Sequence, residues 1–199
     1  MSSLRLVGVD PGFAHVAFSI VDRFTVGGSV IVDTRLVVTK VSTKKIDKID
    51  DEINRLQEIE EAWKEFLDLH KPAVAVFEEP GKCLMMRQGK WQTNPALLRT
   101  ACLAWGALHG ICRSKNIYVV SVGSQEIKKA LTGKGSASKE EVIKAVKSRY
   151  PAYDGWPKSK KIEHVTDSVG AIVAGFNDPA VMVMMQQLQT AEPVGKIAP

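Results

Sequence analysis

The chain has 199 residues, 45% of them hydrophobic, so it is long enough for one well-buried core and too short for two equal domains. Its net charge of +5 suits a polyanionic partner, and its three cysteines, which form no CxxC pair, indicate neither a disulfide framework nor a zinc site. The sequence shows no secretory signal and no apolar run long enough to cross a bilayer, so we expect a soluble protein in a reducing cytoplasm.

Three apolar segments open the chain and predict three successive strands that are antiparallel neighbours. They cover residues 4–9, 13–21 and 29–38, are rich in Val, Ile and Leu, and are separated by glycine or charged turns. The first segment ends in GVDPG, which places a carboxylate, Asp10, where a buried strand stops. Asp-Pro-Gly is also ordinary turn chemistry, so a turn and a functional site are both open from this stretch alone.

A long amphipathic helix follows, because apolar residues recur at spacings of three and four from Ile46 to Phe66. Next comes a short apolar run, AVAVF at 73–77, which predicts a buried strand that ends at Glu78. The basic and polar stretch over 81–93 is flanked by glycine and is predicted as a loop.

The second half of the chain alternates helix and strand, and the whole pattern predicts an α/β fold with helices on the faces of a mixed sheet. Its predicted elements are a helix at 95–114, a strand at 118–122, a short helix at 125–131, and helices at 139–149 and 162–176. We expect one domain over residues 1–176 and a loosely held C-terminal tail over 177–199.

Two predicted strands end in carboxylates, Asp10 and Glu78, which come together if the strands are neighbours that end at one edge of the sheet. His164 and Asp167 are three residues apart and share one face of the last predicted helix. Four ligands could then converge. Hard carboxylate oxygens with one imidazole suit Mg²⁺ or Mn²⁺ better than zinc.

Four motifs in this order, GVDPG, VFEEP, IKKALTGKGSASKEEV and HVTDSVGAIVAG, resemble those of the RuvC family of Holliday junction resolvases. That family lies within the RNase H-like nuclease superfamily. The resemblance also allows a phage-type member of the family. It implies an RNase H-like five-stranded mixed sheet flanked by helices. It also implies a metal-dependent endonuclease that binds four-way DNA junctions and resolves them by paired, symmetric nicks.

The resemblance assigns roles residue by residue. Asp10, Glu78, His164 and Asp167 match the catalytic, metal-binding positions, which implies two Mg²⁺ ions for which Mn²⁺ substitutes. Whether His164 binds a metal or positions the attacking water is open from the sequence. Lys128 matches a lysine near the scissile phosphate. The residues expected to bind DNA are Lys82, Arg87, Lys90, Trp91, Lys128, Lys134 and Lys139.

One departure concerns the aromatic residue that the family often has shortly after the glutamate of the fourth strand. This chain has Glu79, Pro80 and Gly81 there. Trp91 is a candidate replacement at the junction centre, as is the pair Met85 and Met86.

The predicted helix at 95–114 carries apolar side chains around more of its circumference than one sheet face covers. They are Leu97, Leu98, Ala101, Leu103, Trp105, Leu108 and Ile111. The resemblance places a dimer contact on this helix, so we expect a homodimer, whose two sites match the two nicks needed at a nearly two-fold symmetric junction.

Three other functions are alternatives to this one. A broader nuclease of the same fold would cut flaps and Y-junctions, and a non-catalytic protein would only bind junctions. An actin-like ATPase also opens with an aspartate-containing glycine turn, but it needs a duplicated domain for which 199 residues leave no room. The presence of all four acidic or histidine positions argues against the non-catalytic protein.

Overall fold

The computed structural model describes residues 2–43, 45–81, 84–87 and 90–191, with the backbone only at 84–87 and 90–91. The elements are β1 (Ser3–Pro11), β2 (His15–Phe24), β3 (Ser29–Val38), α1 (Lys48–His70), β4 (Val74–Glu78), β5 (Leu84–Arg87), β6 (Lys90–Thr93), α2 (Pro95–Ser114), β7 (Tyr118–Val122), α3 (Ser124–Thr132), α4 (Lys139–Arg149), α5 (Ile162–Gly175) and α6 (Pro179–Ala191). Five strands form one sheet in the order β3-β2-β1-β4-β7. The first three strands pair antiparallel, and β4 and β7 run parallel to β1. The predicted mixed sheet is confirmed.

The sheet is buried on both faces, which explains why its strands are almost continuously apolar in sequence. Leu6 and Val7 of β1 are both fully buried but belong to different core clusters, because successive side chains point to opposite faces. Trp63 of α1 and Leu108 of α2 cover the Val7 face. Ile172 of α5 covers the Leu6 face.

Local signals fix the limits of α1 more narrowly than the apolar spacing does. The Asp47 carboxylate accepts a hydrogen bond from the Ile49 amide at 2.7 Å, so the helix begins after Asp47 and Ile46 lies outside it. The helix ends where Lys71 adopts the left-handed conformation. Pro72 follows and cannot continue a helix.

The stretch predicted as a loop after β4 contains a hairpin, so that prediction is wrong. The strands β5 and β6 pair antiparallel, with Leu84 opposite Thr93 and Arg87 opposite Lys90. Two four-residue strands are held by main-chain pairing. Such a hairpin needs no alternation of apolar residues, and the sequence has none to predict it.

The C-terminal tail predicted over 177–199 is wrong for residues 179–191, which form α6. The Asp178 carboxylate caps this helix by accepting hydrogen bonds from two amides of its first turn, at 2.9 and 3.2 Å. Val181 is fully buried and Met185 is 7% exposed, both in the core cluster that contains α5. Only two buried side chains anchor the helix, which is too weak a periodic signal to stand out in the sequence.

The helix α5 lies across the sheet and is the most buried helix of the described residues. Its close approach is possible because Gly8 of β1 has no side chain: a Cβ there would lie 1.9 Å from the Ser168 carbonyl oxygen. The Ser168 hydroxyl also lies 2.6 Å from the Ser19 hydroxyl of β2. Within the described residues no single helix is long and apolar enough to span a membrane, and α5 and α6 meet that test only as a pair bent by 72°.

We expect Gly8→Ala to lower the free energy of unfolding by about 3 kcal/mol or more, because the new Cβ meets the backbone of α5. Urea denaturation measures the change. Gly81→Ala is the matched control, since a Cβ there would meet no atom of the described residues within 4 Å. Equal stability of the two variants would contradict the proposed close contact.

Candidate active site

A cavity of about 330 Å³ opens at the edge of the sheet where β1 and β4 end. These strands are parallel neighbours, and Val9 pairs with Phe77, so Asp10 and Glu78 follow side by side. The first turns of α5 cross above them and bring His164 and Asp167 to the same cavity. All four side chains line it, together with Lys128 and Lys139.

The shortest contact at this edge joins α5 to β1. The Nδ1 of His164 lies 2.7 Å from Oδ2 of Asp10, and both side chains are mostly buried. This hydrogen bond raises the pKa of His164, because the aspartate stabilises the protonated imidazole. The imidazole is therefore held in one orientation against the end of β1.

Two of the carboxyl groups are buried at an electrostatic cost. Burial raises the pKa of Glu78 to about 8, with further contributions from the charges of Asp10 and Asp167. Burial and the charge of Asp10 raise the pKa of Asp167 to about 6. Both groups therefore keep their protons more readily than a free carboxyl group does, and a cation bound beside them would favour their charged forms.

Lys128 and Lys139 approach the cavity from α3 and from the start of α4. The Lys139 ammonium pairs with the Glu163 carboxylate at 2.5 Å, and this hydrogen bond raises the pKa of Lys139. Glu163 precedes His164 on α5, so the ion pair also ties α4 to the helix that carries the site.

The donor set fits a divalent metal ion by its chemistry, since it offers three carboxylates and one imidazole. Among the described residues, however, no three Asp, Glu, His or Cys side chains are arranged so that they could hold one ion directly. One Asp10 oxygen is engaged by His164 instead. The fit therefore rests on donor type and on a shared cavity.

The other residues predicted to bind DNA do not lie in the cavity wall or are outside the described part. Lys134 is exposed in the turn after α3 and does not line the cavity. Lys82 lies outside the described residues, and for Arg87, Lys90 and Trp91 only the backbone is described. Their side chains thus remain predicted contacts.

Two residues that the sequence analysis missed support this group. The His15 ring stacks on the His164 ring, with centroids 5.1 Å apart and planes 13° from parallel. The Ser124 side chain lines the same cavity as Glu78 and opposes the rise in the pKa of Glu78. Their places in the chain give only an indirect signal, because His15 begins the strand after the Asp10 turn and Ser124 follows β7, the neighbour of β4.

The mixed sheet with helices on both faces has the RNase H-like fold, and the same arrangement occurs in solved resolvase structures. Thermus thermophilus RuvC in complex with a Holliday junction substrate superposes with a TM-score of 0.65 at 22% identity, covering 86% of this chain and 92% of that one. The yeast mitochondrial Holliday junction resolvase Ydc2 gives a TM-score of 0.60 at 11% identity, covering 94% and 82%.

The sequence comparisons identify the family. Residues 6–150 match the family model of the crossover junction endodeoxyribonuclease RuvC. The RuvC enzyme of Rhodococcus jostii (strain RHA1) is 29% identical over 143 residues, which cover 72% of this chain and 67% of the relative. The chain belongs to the RuvC family, as its four motifs predict.

We expect His15→Ala to lower the rate of DNA cleavage by about 10-fold, because the variant lacks the ring that stacks on His164 and holds it in place. His15→Phe keeps an aromatic face and should restore most of the rate. Single-turnover cleavage and junction affinity are measured together, and the affinity should not change. A His15→Ala variant with the wild-type rate would contradict the positioning role.

Proposed function

We propose that this protein is a metal-dependent endonuclease that binds four-way DNA junctions and resolves them by paired, symmetric nicks. The observation that carries the proposal is the convergence of three carboxylates, from β1, β4 and α5, on one cavity that two lysines also line. Family membership supports the same activity. RuvC relatives are named crossover junction endodeoxyribonucleases.

In this proposal Asp10, Glu78, His164 and Asp167 hold divalent cations. Cations held by these residues would supply an activated water and charge neutralisation at the leaving oxygen. The abundance of carboxylate oxygens favours two Mg²⁺ ions, with Mn²⁺ as a substitute. These finer assignments come from donor chemistry and from the family resemblance.

The residues of the chain have separate tasks in the reaction. Asp10 holds His164 through the 2.7 Å hydrogen bond and fixes the imidazole over the end of β1. Lys128 and Lys139 place positive charge in the cavity, where it attracts a backbone phosphate and balances its charge. Glu163 keeps the Lys139 ammonium at the cavity edge.

The proposed DNA surface extends beyond the cavity through the hairpin that follows Gly81, a residue of the cavity wall. We assign DNA contacts to the basic side chains of this segment, Lys82, Arg87 and Lys90, and to Trp91 beside them. Lys134 is assigned a contact from the exposed turn after α3. A protein that acts on DNA works where the DNA is. We therefore propose that it is located in the cytoplasm, or in the host cytoplasm if the chain is a phage-type member.

Asp10→Asn and Asp167→Asn should each lower junction cleavage by about 100-fold or more, because each removes a charged metal ligand. Junction affinity should be unchanged or higher, since no basic contact is lost and a negative charge near the phosphate is removed. Nicking of a synthetic junction and a binding titration in Ca²⁺ measure the two effects.

The control for these variants is Glu140→Gln, which removes a carboxylate from an exposed position on α4 outside the cavity. It should cleave like the wild type. Cleavage of a flap and of linear duplex alongside the junction separates a junction resolvase from a broader nuclease for branched DNA. Wild-type nicking rates in either aspartate variant would show that the proposed site is wrong.

The homodimer is the second part of the proposal and rests on the outer face of α2. Leu103 is 40% exposed, and Gly106 and Gly110 follow on the same helical face. In the part of the chain that the structure describes, a Cβ on either glycine would meet no atom of another element within 4 Å. An apolar and side-chain-free face of this kind permits close packing against a second copy of the helix.

Leu103→Glu should convert the protein to monomers that bind junctions weakly, because it places a charge in the proposed helix contact. Light scattering at micromolar concentration measures the mass. Val183→Glu, a matched change at an exposed apolar position of α6, should leave the mass unchanged. A monomeric wild-type protein that fully resolves junctions would contradict the dimer.

A further inference from the structure

A second cavity, of about 270 Å³, lies at the opposite end of α5 from the candidate active site. Its walls come from the end of β2, the following turn, the end of α4, and α6. Phe176, directly after α5, lines it, whereas Asp167 belongs to the first cavity. Asp167 and Phe176 are nine positions apart along the helix, which corresponds to roughly 14 Å. The proposed nuclease chemistry does not use this region.

Two arginines, Arg23 and Arg149, line this second cavity, and no acidic residue lines it. Within the described residues, no carboxylate lies within 4.0 Å of either guanidinium. The nearest acid along β2, Asp22, is paired with Arg5 at 2.7 Å. We call this site the Arg23–Arg149 cavity.

Arg23 is held in place without losing its charge. Its Nη1 donates a hydrogen bond to the Phe176 carbonyl oxygen at 3.0 Å, and its guanidinium carbon lies 4.4 Å from the centre of the Phe176 ring. This contact uses one of the five N–H donors of the side chain. Burial, and next the charge of Arg149, lower the pKa of Arg23, so the two like charges meet at an electrostatic cost.

The turn that closes the cavity exposes its main chain. Gly27 and Gly28 both have left-handed φ angles, of 82° and 79°, and a Cβ on either would meet no described atom within 4 Å. The Phe24 amide donates to the Gly28 carbonyl at 3.2 Å, and Gln189 of α6 donates to the Thr25 carbonyl at 2.7 Å. The turn is therefore anchored, and its glycines leave room for a ligand to reach the backbone.

We propose that the Arg23–Arg149 cavity binds a phosphate-type oxyanion. Two guanidiniums without a carboxylate partner offer the forked donors that match such an anion, beside an open glycine turn. The volume suits a phosphate group and is below the range of about 300–1,000 Å³ typical of sites for larger ligands. The phosphate comes either from a free phosphate compound or from a DNA backbone.

Inorganic phosphate is the first probe, titrated at constant ionic strength into ¹⁵N-labelled protein. The amide resonances of Gly27 and Gly28 should shift and reach saturation as phosphate is added. Arg149→Gln should raise the dissociation constant for phosphate by about 10-fold, which is the value of one charge-assisted contact. Arg149 is exposed, so this variant should fold. Lys147→Gln is the matched control, since it removes one charge from an exposed position of α4 that does not line the cavity.

A second arm distinguishes the two sources of phosphate. Junction binding is measured over a salt series for the wild type, Arg149→Gln and Lys147→Gln. If the ligand is a DNA phosphate, Arg149→Gln should reduce the slope of log affinity against log salt by about 1 relative to the control. If the ligand is a free phosphate compound, the slopes agree and only the phosphate titration differs.

The phosphate titration decides the proposal itself. It is overturned if neither glycine amide shifts, or if Arg149→Gln binds phosphate as tightly as the Lys147→Gln control. Neither result bears on the nuclease site, because the two cavities share no lining residue.

Discussion

The contact between α5 and β1 at Gly8 is the constraint on which the site depends. Without a side chain at Gly8, the Ser168 carbonyl approaches the strand so closely that a Cβ would lie 1.9 Å from it. Asp167 and His164 lie within the preceding turn of α5, so this contact sets their height above the sheet. A larger residue at position 8 would lift the helix and separate His164 from Asp10.

Close packing of these elements also creates the electrostatic character of the site. The same docking that brings Asp167 near Asp10 and Glu78 removes water from them, and burial is the largest cause of the raised pKa of Glu78 and Asp167. A carboxyl group with a raised pKa gains the most from a cation, because the cation replaces lost hydration and cancels repulsion. Burial of these carboxyl groups therefore costs fold stability when no cation is bound, and the apolar core around α5 offsets that cost.

Sequence patterns predicted the elements whose apolar residues recur with a regular spacing and the strands that end at a charged residue. Asp10 and Glu78 were found because each ends an apolar strand, and His164 and Asp167 because a spacing of three defines a helix face. The ring stack of His15 on His164 depends on how two elements meet in space, which no local pattern encodes. The helix α6, with two buried side chains, and the main-chain-paired hairpin β5–β6 left equally little periodic signal.

The cavity at the start of α5 is lined by carboxyl groups and the cavity at its end by two arginines. The dipole of the helix favours this arrangement of charge. A helix carries partial positive charge at its N-terminus and partial negative charge at its C-terminus. The carboxylates of Glu163 and Asp167 lie in the first turns, while Arg23 donates to the carbonyl of Phe176 just beyond the last turn. Because that carbonyl is a dipole and not a full charge, it positions the Arg23 guanidinium without neutralising it. The positive charge of Arg23 therefore stays available to an anionic ligand at this end of the molecule.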